Sequence, residues 1–244
     1  MVDDASVLDR PAPGPDRTVR WGDRPEDVAD VWPGTPDRPL LVVLHGGFWR
    51  PAYDRTHLRP MAAALRSAGW TVVTPEYRRL PGDPDASTAD VREALTALPG
   101  QVGGHDGTVV LAGHSAGGHL ALWAAATCPP SQLLRTVALA PVADLAQADA
   151  LGTGGGAVRA FLGAPAPSRP DLDPVRLPDP QAPVVLVHGA DDAVVPPALA
   201  AAYRDAHPAA RLRLLPGTGH YGPIDPWSAA WSAVVAALAG EPAP

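Results

Sequence analysis

Residues 108–120, Thr108-Val-Val-Leu-Ala-Gly-His-Ser-Ala-Gly-Gly-His-Leu120, decide the fold: an apolar run, then Gly113-x-Ser115-x-Gly117, then an Ala- and Leu-rich segment. A strand that turns directly into a helix at a serine holds that serine in strained φ/ψ with its Oγ proud of the sheet edge. A Cβ at either flanking glycine would clash. The helix N-terminus just behind it favours negative charge developing nearby. Outward from this turn the chain repeats one unit. Short apolar runs at 28–32, 40–44, 70–74, 108–112, 136–140, 184–188 and 211–215 alternate with Gly/Pro-marked turns and segments of helical spacing. Most runs are continuously apolar rather than alternating, as parallel strands covered on both faces require. The pattern predicts an α/β fold with a mostly parallel, doubly wound sheet flanked by helices.

The helical segments are expected at 56–67, with Leu58, Met61 and Leu65 on one face, and at 87–98, with Val91, Ala94, Leu95 and Leu98 on one face. The last is expected from Asp225 as N-cap and Pro226 at the first turn, along a stripe of Trp227, Ala230, Trp231, Val234, Val235 and Leu238. Two stretches break the rhythm. Residues 1–17, with three prolines and no periodicity, read as a loose lead-in before one domain spanning 18–244. Residues 145–180, with Gly154-Gly155-Gly156 and a Pro-rich continuation, are too long for an ordinary connection and predict a small cap insertion.

Four short motifs carry chemistry, each just after a strand. Beyond the serine, the run 40–44 leads into His45-Gly46-Gly47-Phe48-Trp49, where a glycine pair lets backbone N–H groups approach an oxyanion closely. The run 184–188 ends at His188 and leads to Asp191 and Asp192. The run 211–215 is followed by Pro-Gly-Thr-Gly-His220-Tyr221. A nucleophilic serine needs a base, and the base needs an orienting acid; the chain order Ser115, Asp191 or Asp192, His220 supplies them. Asp144, after the strand that follows the serine, is a competing acid.

Together the pieces HGGFW, GHSAGGH, HGADDAVVP and GHYGPIDP make residues 26–238 resemble the α/β-hydrolase superfamily, in the esterase/lipase branch that includes the kynurenine formamidases. The resemblance implies an HGGxW oxyanion motif at His45, Gly46, Gly47 and Trp49, a nucleophile at Ser115 and a base at His220. It selects Asp192, four residues after the His of HGxxD, over Asp191. The implied activity is cofactor-free cleavage of a small acyl or formyl ester or amide, with Gly46, Gly47, Phe48 and Ala116 forming the oxyanion hole and Trp49 and Tyr221 gripping substrate. A general short-chain carboxylesterase, an acyltransferase and a non-catalytic binding protein of the same fold are the alternatives. Of the other histidines, His114 is expected to support the turn at Ser115, His119 to be structural, and His45 and His188 to bond backbone. His57, His105 and His207 are expected at the surface.

Composition narrows the field from the other side. All nineteen basic residues are Arg, so P-loop, protein-kinase and Schiff-base chemistry, each of which needs a lysine, are excluded. One cysteine, Cys128, cannot form an internal disulfide, and no HxH, HExxH or carboxylate cluster suggests a metal. A net charge of −7 argues against nucleic acid. No apolar run reaches the length of a membrane span, and the start Met1-Val-Asp-Asp4 is acidic where a signal peptide is basic. The expectation is a cytoplasmic monomer or homodimer acting on a small molecule.

Overall fold

The computed structural model describes residues 5–241 of the 244. Its strands are β1 (Arg17–Arg20), β2 (Val28–Trp32), β3 (Leu40–Leu44), β4 (Thr71–Pro75), β5 (Val109–His114), β6 (Leu133–Leu139), β7 (Val184–Gly189) and β8 (Arg211–Leu215). They form one sheet in the order β1-β2-β4-β3-β5-β6-β7-β8. The β1–β2 and β2–β4 pairs are antiparallel and every later pair is parallel. All residues of β3, β4, β5 and β7 are buried, which is why these runs lack polar alternation.

Successive strand residues feed two cores. Leu40, Val42 and Leu44 pack with α2 (Pro84–Gln101) and α3 (Ala116–Thr127), through Val91, Leu95, Leu98, Leu120 and Ala124. Leu41 and Val43 point the other way, against Met61 and Leu65 of α1 (Arg59–Ser67) and Val234 and Leu238 of α7 (Trp231–Ala239). Each fully buried Leu or Val contributes about 1.5–3 kcal/mol, so the alternation fixes the register of every central strand. Between β6 and β7 lie α4 (Leu145–Ala150), α5 (Thr153–Leu162) and three 3-10 turns over 166–176, the small insertion expected from the Gly- and Pro-rich stretch. The remaining helix, α6 (Ala198–Ala206), links β7 to β8.

Three local readings are corrected. Residues 1–4 lie outside the described residues, but the rest of the expected lead-in is built into the fold. Ala5–Asp9 form a 3-10 helix whose Val7 is fully buried, and Arg17 opens an antiparallel edge strand. Arg10 ion-pairs with Asp225 at 2.5 Å and lies 3.9 Å over the Trp227 ring. Helix α2 starts earlier than its apolar periodicity, because Asp83 accepts from Ala86 N at 3.2 Å and Pro84 preorganises the first turn. Helix α7 starts later. Asp225 spends its side chain on Trp227 N at 2.8 Å in a local turn, and Trp227, expected on the buried stripe, is 79% exposed.

Candidate active site

The parallel strands end together along one edge of the sheet, where α/β sheets bind ligands. Leu44 pairs with Gly113, His114 with Leu139, and Gly189 with Leu215, so the loops after β3, β5, β7 and β8 emerge level with one another. Those four loops carry the four motifs.

Ser115 sits between β5 and α3 with φ 56° and ψ −116°, a left-handed backbone that costs a non-glycine residue about 1–3 kcal/mol. It is held there by its own carbonyl, which accepts from His119 N at 3.0 Å, and by its N–H, which donates to Leu139 O at 2.8 Å. The two flanking glycines allow the turn. A Cβ on Gly113 would lie 2.9 Å from Gly118 N, and one on Gly117 would lie 2.5 Å from the Leu44 carbonyl carbon, with the Leu44 and His45 oxygens nearer still. The start of α3 therefore lies directly against the end of β3.

This contact places the glycine pair. A Cβ on Gly46 would be 3.0 Å from His114 Nδ1 and 3.1 Å from Ser115 Cβ, so the loop after β3 runs past the serine. Gly47 has φ 110°, and Phe48 and Trp49 have φ 51° and 53°. Among the five non-glycine residues of positive φ in the described chain, three are Phe48, Trp49 and Ser115. Strain of this kind persists only where packing over-determines it. Trp49 supplies that packing: it is buried, stacked on Phe161 of α5 at 4.4 Å and meets His119 edge-on at 5.1 Å. Ala116 is the first residue of α3, so its N–H has no acceptor within the helix.

From the other side come the acid and the imidazole. His220 Nδ1 lies 2.7 Å from Asp192 Oδ2, and both side chains are buried. Burial alone would raise the Asp192 carboxyl, but hydrogen bonds from His188 and His220 hold it well below the usual carboxylate range. The neighbouring Asp191 is exposed. Asp144 is committed elsewhere, capping α4 through Gln147 N at 2.8 Å. His114 Nε2 lies 3.1 Å from the His220 carbonyl oxygen and donates to it, tying the residue next to Ser115 to the loop after β8. Tyr221 is half-buried with its ring 5.0 Å from that of His220.

The remaining histidines divide differently from expectation. His119 is wholly buried and donates from Nε2 to Leu172 O at 2.8 Å; burial pushes it down to about 4. His57 and His207 are buried rather than at the surface. His57 is driven down to about 3 by burial and by His45 nearby, and His207 bridges Asp179 at 2.6 Å and the Pro174 carbonyl at 3.0 Å. His45 does bond backbone, at Gly46 O (2.8 Å), but its Nε2 also meets Glu76 Oε1 at 2.8 Å. Glu76 was not singled out in the sequence. It also takes the backbone N–H groups of Arg55 and Tyr77 and ion-pairs with Arg79; against the effect of burial, His45 first, then Arg79 and the Tyr77 N–H, bring it to about 2. The available signal was an acid directly after the short run Thr71-Val-Val-Thr-Pro75, which the fold buries completely. His188 was expected to bond only backbone, yet it also reaches Asp192 Oδ2 at 3.0 Å. Among the described residues, the carboxylates of Asp27, Asp90 and Glu93 are close enough to share a cation, but the Arg24 guanidinium already pairs with all three. No helix among the described residues is long and apolar enough to cross a membrane.

The chain is 33% identical over 107 residues to kynurenine formamidase of Danio rerio, covering 42% of this chain and 36% of that protein. It is 30% identical over 124 residues to esterase LipC of Mycobacterium tuberculosis, covering 48% of this chain and 31% of that one. Each match therefore covers about a third of the relative's own length. In three dimensions it resembles esterase B from Lactobacillus rhamnosis with a TM-score of 0.74 at 20% identity, over 94% of this chain and 85% of that one, a likeness of fold. Residues 41–220 match the family described as alpha/beta hydrolase fold, and the chain belongs to that family.

Proposed function

We propose that this protein is a serine hydrolase that cleaves small acyl or formyl esters or amides through Ser115, His220 and Asp192. The observation that carries the reading is the 2.7 Å contact between His220 and Asp192, across 28 residues of sequence, beside a serine held at positive φ. Ser115 Oγ attacks the substrate carbonyl as its proton passes to His220 Nε2. Asp192 keeps the other ring hydrogen on Nδ1 and balances the imidazolium charge. The N–H groups of Gly47, Phe48 and Ala116, with Gly46 shaping the loop, are aimed at the tetrahedral oxyanion. His220 then protonates the leaving group, and water activated by the same ring releases the acyl group from Ser115. Tyr221 offers a wall to the substrate beside His220, and Trp49, stacked on Phe161, steadies the loop that carries the glycine pair.

Ser115→Ala tests this. Turnover of p-nitrophenyl acetate should fall by on the order of 10³–10⁶ with unchanged unfolding behaviour, and labelling by a fluorophosphonate probe should vanish. Retained turnover would refute the assignment. The match to a kynurenine formamidase favours an aryl-formamide substrate; the match to esterase LipC favours a short-chain carboxylesterase. Comparing kcat/KM for N-formyl-L-kynurenine with that for short p-nitrophenyl esters decides between them. Negligible cleavage of the formyl amide beside fast ester cleavage would leave only the esterase.

A further inference from the structure

Asp192 does not serve His220 alone. Its Oδ1 accepts the backbone N–H groups of Val194 at 2.9 Å and Val195 at 2.7 Å. Its Oδ2 meets His220 Nδ1 at 2.7 Å and His188 Nε2 at 3.0 Å. The same His188 nitrogen faces the Val195 carbonyl at 3.0 Å. A carboxylate and a carbonyl are both acceptors, so Nε2 must carry the hydrogen and divide it between them. Nδ1 is then a lone pair, and among the described residues it has no hydrogen-bond partner, in a ring that is 0% exposed. A hydrogen there would be a buried N–H with no acceptor. His188 thus donates from Nε2, with its geometry set by the strand it ends.

We propose that His188 is a positioning residue for the triad: it locks the Asp192 carboxylate in the orientation that meets His220 and, by sharing Oδ2, limits how strongly that carboxylate binds the His220 imidazolium. The inference rests on the triad reading above. With four donors on two oxygens the carboxylate has no freedom to turn, which is the preorganisation an orienting acid needs. Removing the His188 donor would leave Oδ2 to His220 alone. The carboxylate would then swing more freely, and where it did meet His220 it would favour the protonated ring more strongly. The other ionisable groups around the pair are His114, 4.7 Å from the His220 ring and kept neutral by burial, Tyr221 at 5.0 Å, and the exposed Asp191.

The test compares His188→Leu, His188→Gln and Ser115→Ala in the full chain, following kcat and KM for p-nitrophenyl acetate from pH 5 to 9. Leu fills the site without a donor; the Gln amide can donate to the same Oδ2. His188→Leu should lower kcat about tenfold or more with little change in KM, and should move the acidic limb of the rate profile up by about half a pH unit. His188→Gln should recover kcat to within about threefold of the wild type and return the limb to its original place. A role in packing alone reverses the ranking, since Leu suits a buried apolar site better than Gln. Equal loss in both variants, or an unmoved limb in His188→Leu, overturns the proposal, and activity surviving in Ser115→Ala overturns it together with the triad. Should His188→Leu not fold, 15N spectra of histidine-labelled wild type and His188→Gln identify the His188 ring by its disappearance. A neutral ring bearing its hydrogen on Nε2 is expected; hydrogen on Nδ1 refutes the assignment.

Discussion

Replacing Gly117 by Ala should cripple the protein through a single methyl group. Within the first turn of a helix a Gly-to-Ala change ordinarily stabilises by about 0.5–1 kcal/mol, since it removes backbone freedom from the unfolded chain. Here the added Cβ would stand 2.5 Å from the Leu44 carbonyl carbon, where ordinary contact begins at 3.4 Å, so at least 0.9 Å of separation must be found. Neither side yields easily: one is the start of α3, the other the last residue of a fully buried central strand. Overpacking of this kind costs about 1–3 kcal/mol, which outweighs the helical gain and leaves a net loss of roughly 1–2 kcal/mol. The larger effect should be on rate. Leu44 leads directly into the glycine pair, so the displacement moves the proposed oxyanion donors relative to Ser115 by nearly 1 Å, and such misplacement costs on the order of 10² in kcat/KM. Urea unfolding and p-nitrophenyl acetate kinetics measure the two parts. Gly100→Ala, at the end of α2 with nothing within 4 Å, is the control and should be neutral or slightly stabilising. A Gly117→Ala protein with wild-type kcat/KM would show that the close approach of α3 and β3 does not position the site.

Acid should weaken the fold through Glu76. Its carboxyl lies at about 2 rather than its ordinary 4.5, so its contribution is complete above about pH 4.5 and is lost as pH falls towards 2. At 1.36 kcal/mol per pH unit this corresponds to roughly 3 kcal/mol at neutral pH. Glu76→Gln should therefore be destabilised by about that amount at pH 7, with the gap to wild type shrinking by roughly half at pH 3; a gap that stays constant in urea titrations at the two pH values contradicts the assignment. Phe161→Ala should cost about 3–5 kcal/mol in thermal or urea unfolding, because the ring is buried against Trp49, and should slow fluorophosphonate labelling of Ser115. A loss under about 1 kcal/mol would mean that the stack is not what holds Trp49. Arg10→Ala should cost about 1 kcal/mol or somewhat more, and less in 1 M salt, since its bidentate pair with Asp225 is mostly but not fully shielded; a salt-independent loss would place the effect in the Trp227 contact instead.

The parts of the fold and site legible in the sequence are those whose signal is local. Continuous apolar runs report strands covered on both faces, and Gly113-x-Ser115-x-Gly117 reports a turn that only those glycines permit. Asp192 and His220 are legible because each follows its own strand by a few residues. What escaped is set by distant partners. Arg17–Arg20 has no apolar signature because it is a mostly exposed edge, held by β2 rather than by its own side chains. Trp227 fits the apolar periodicity of α7 yet lies outside it, since Asp225 closes a turn first. Glu76 and His188 are single polar residues in or beside buried strands, and nothing in their neighbours discloses that they meet His45 and Asp192. His57 and His207 were misplaced for the same reason: short range sees a loop or a helix end, not the carboxylates and carbonyls folded over it.

The stack of Trp49 on Phe161, with His119 reaching the Leu172 carbonyl, joins the insertion to the loop that follows β3. Phe48 adds to the joint, since a Cβ on Gly154 would lie 2.6 Å from its ring, and all three glycines from 154 to 156 take positive φ there. The insertion and the loop beside the serine are therefore one interlocked unit. Exchanging residues 145–180 for the corresponding piece of a relative, as a route to new substrates, would remove the partner of Trp49 and unsettle the proposed oxyanion donors. A productive exchange would have to carry Phe48 and Trp49 with it.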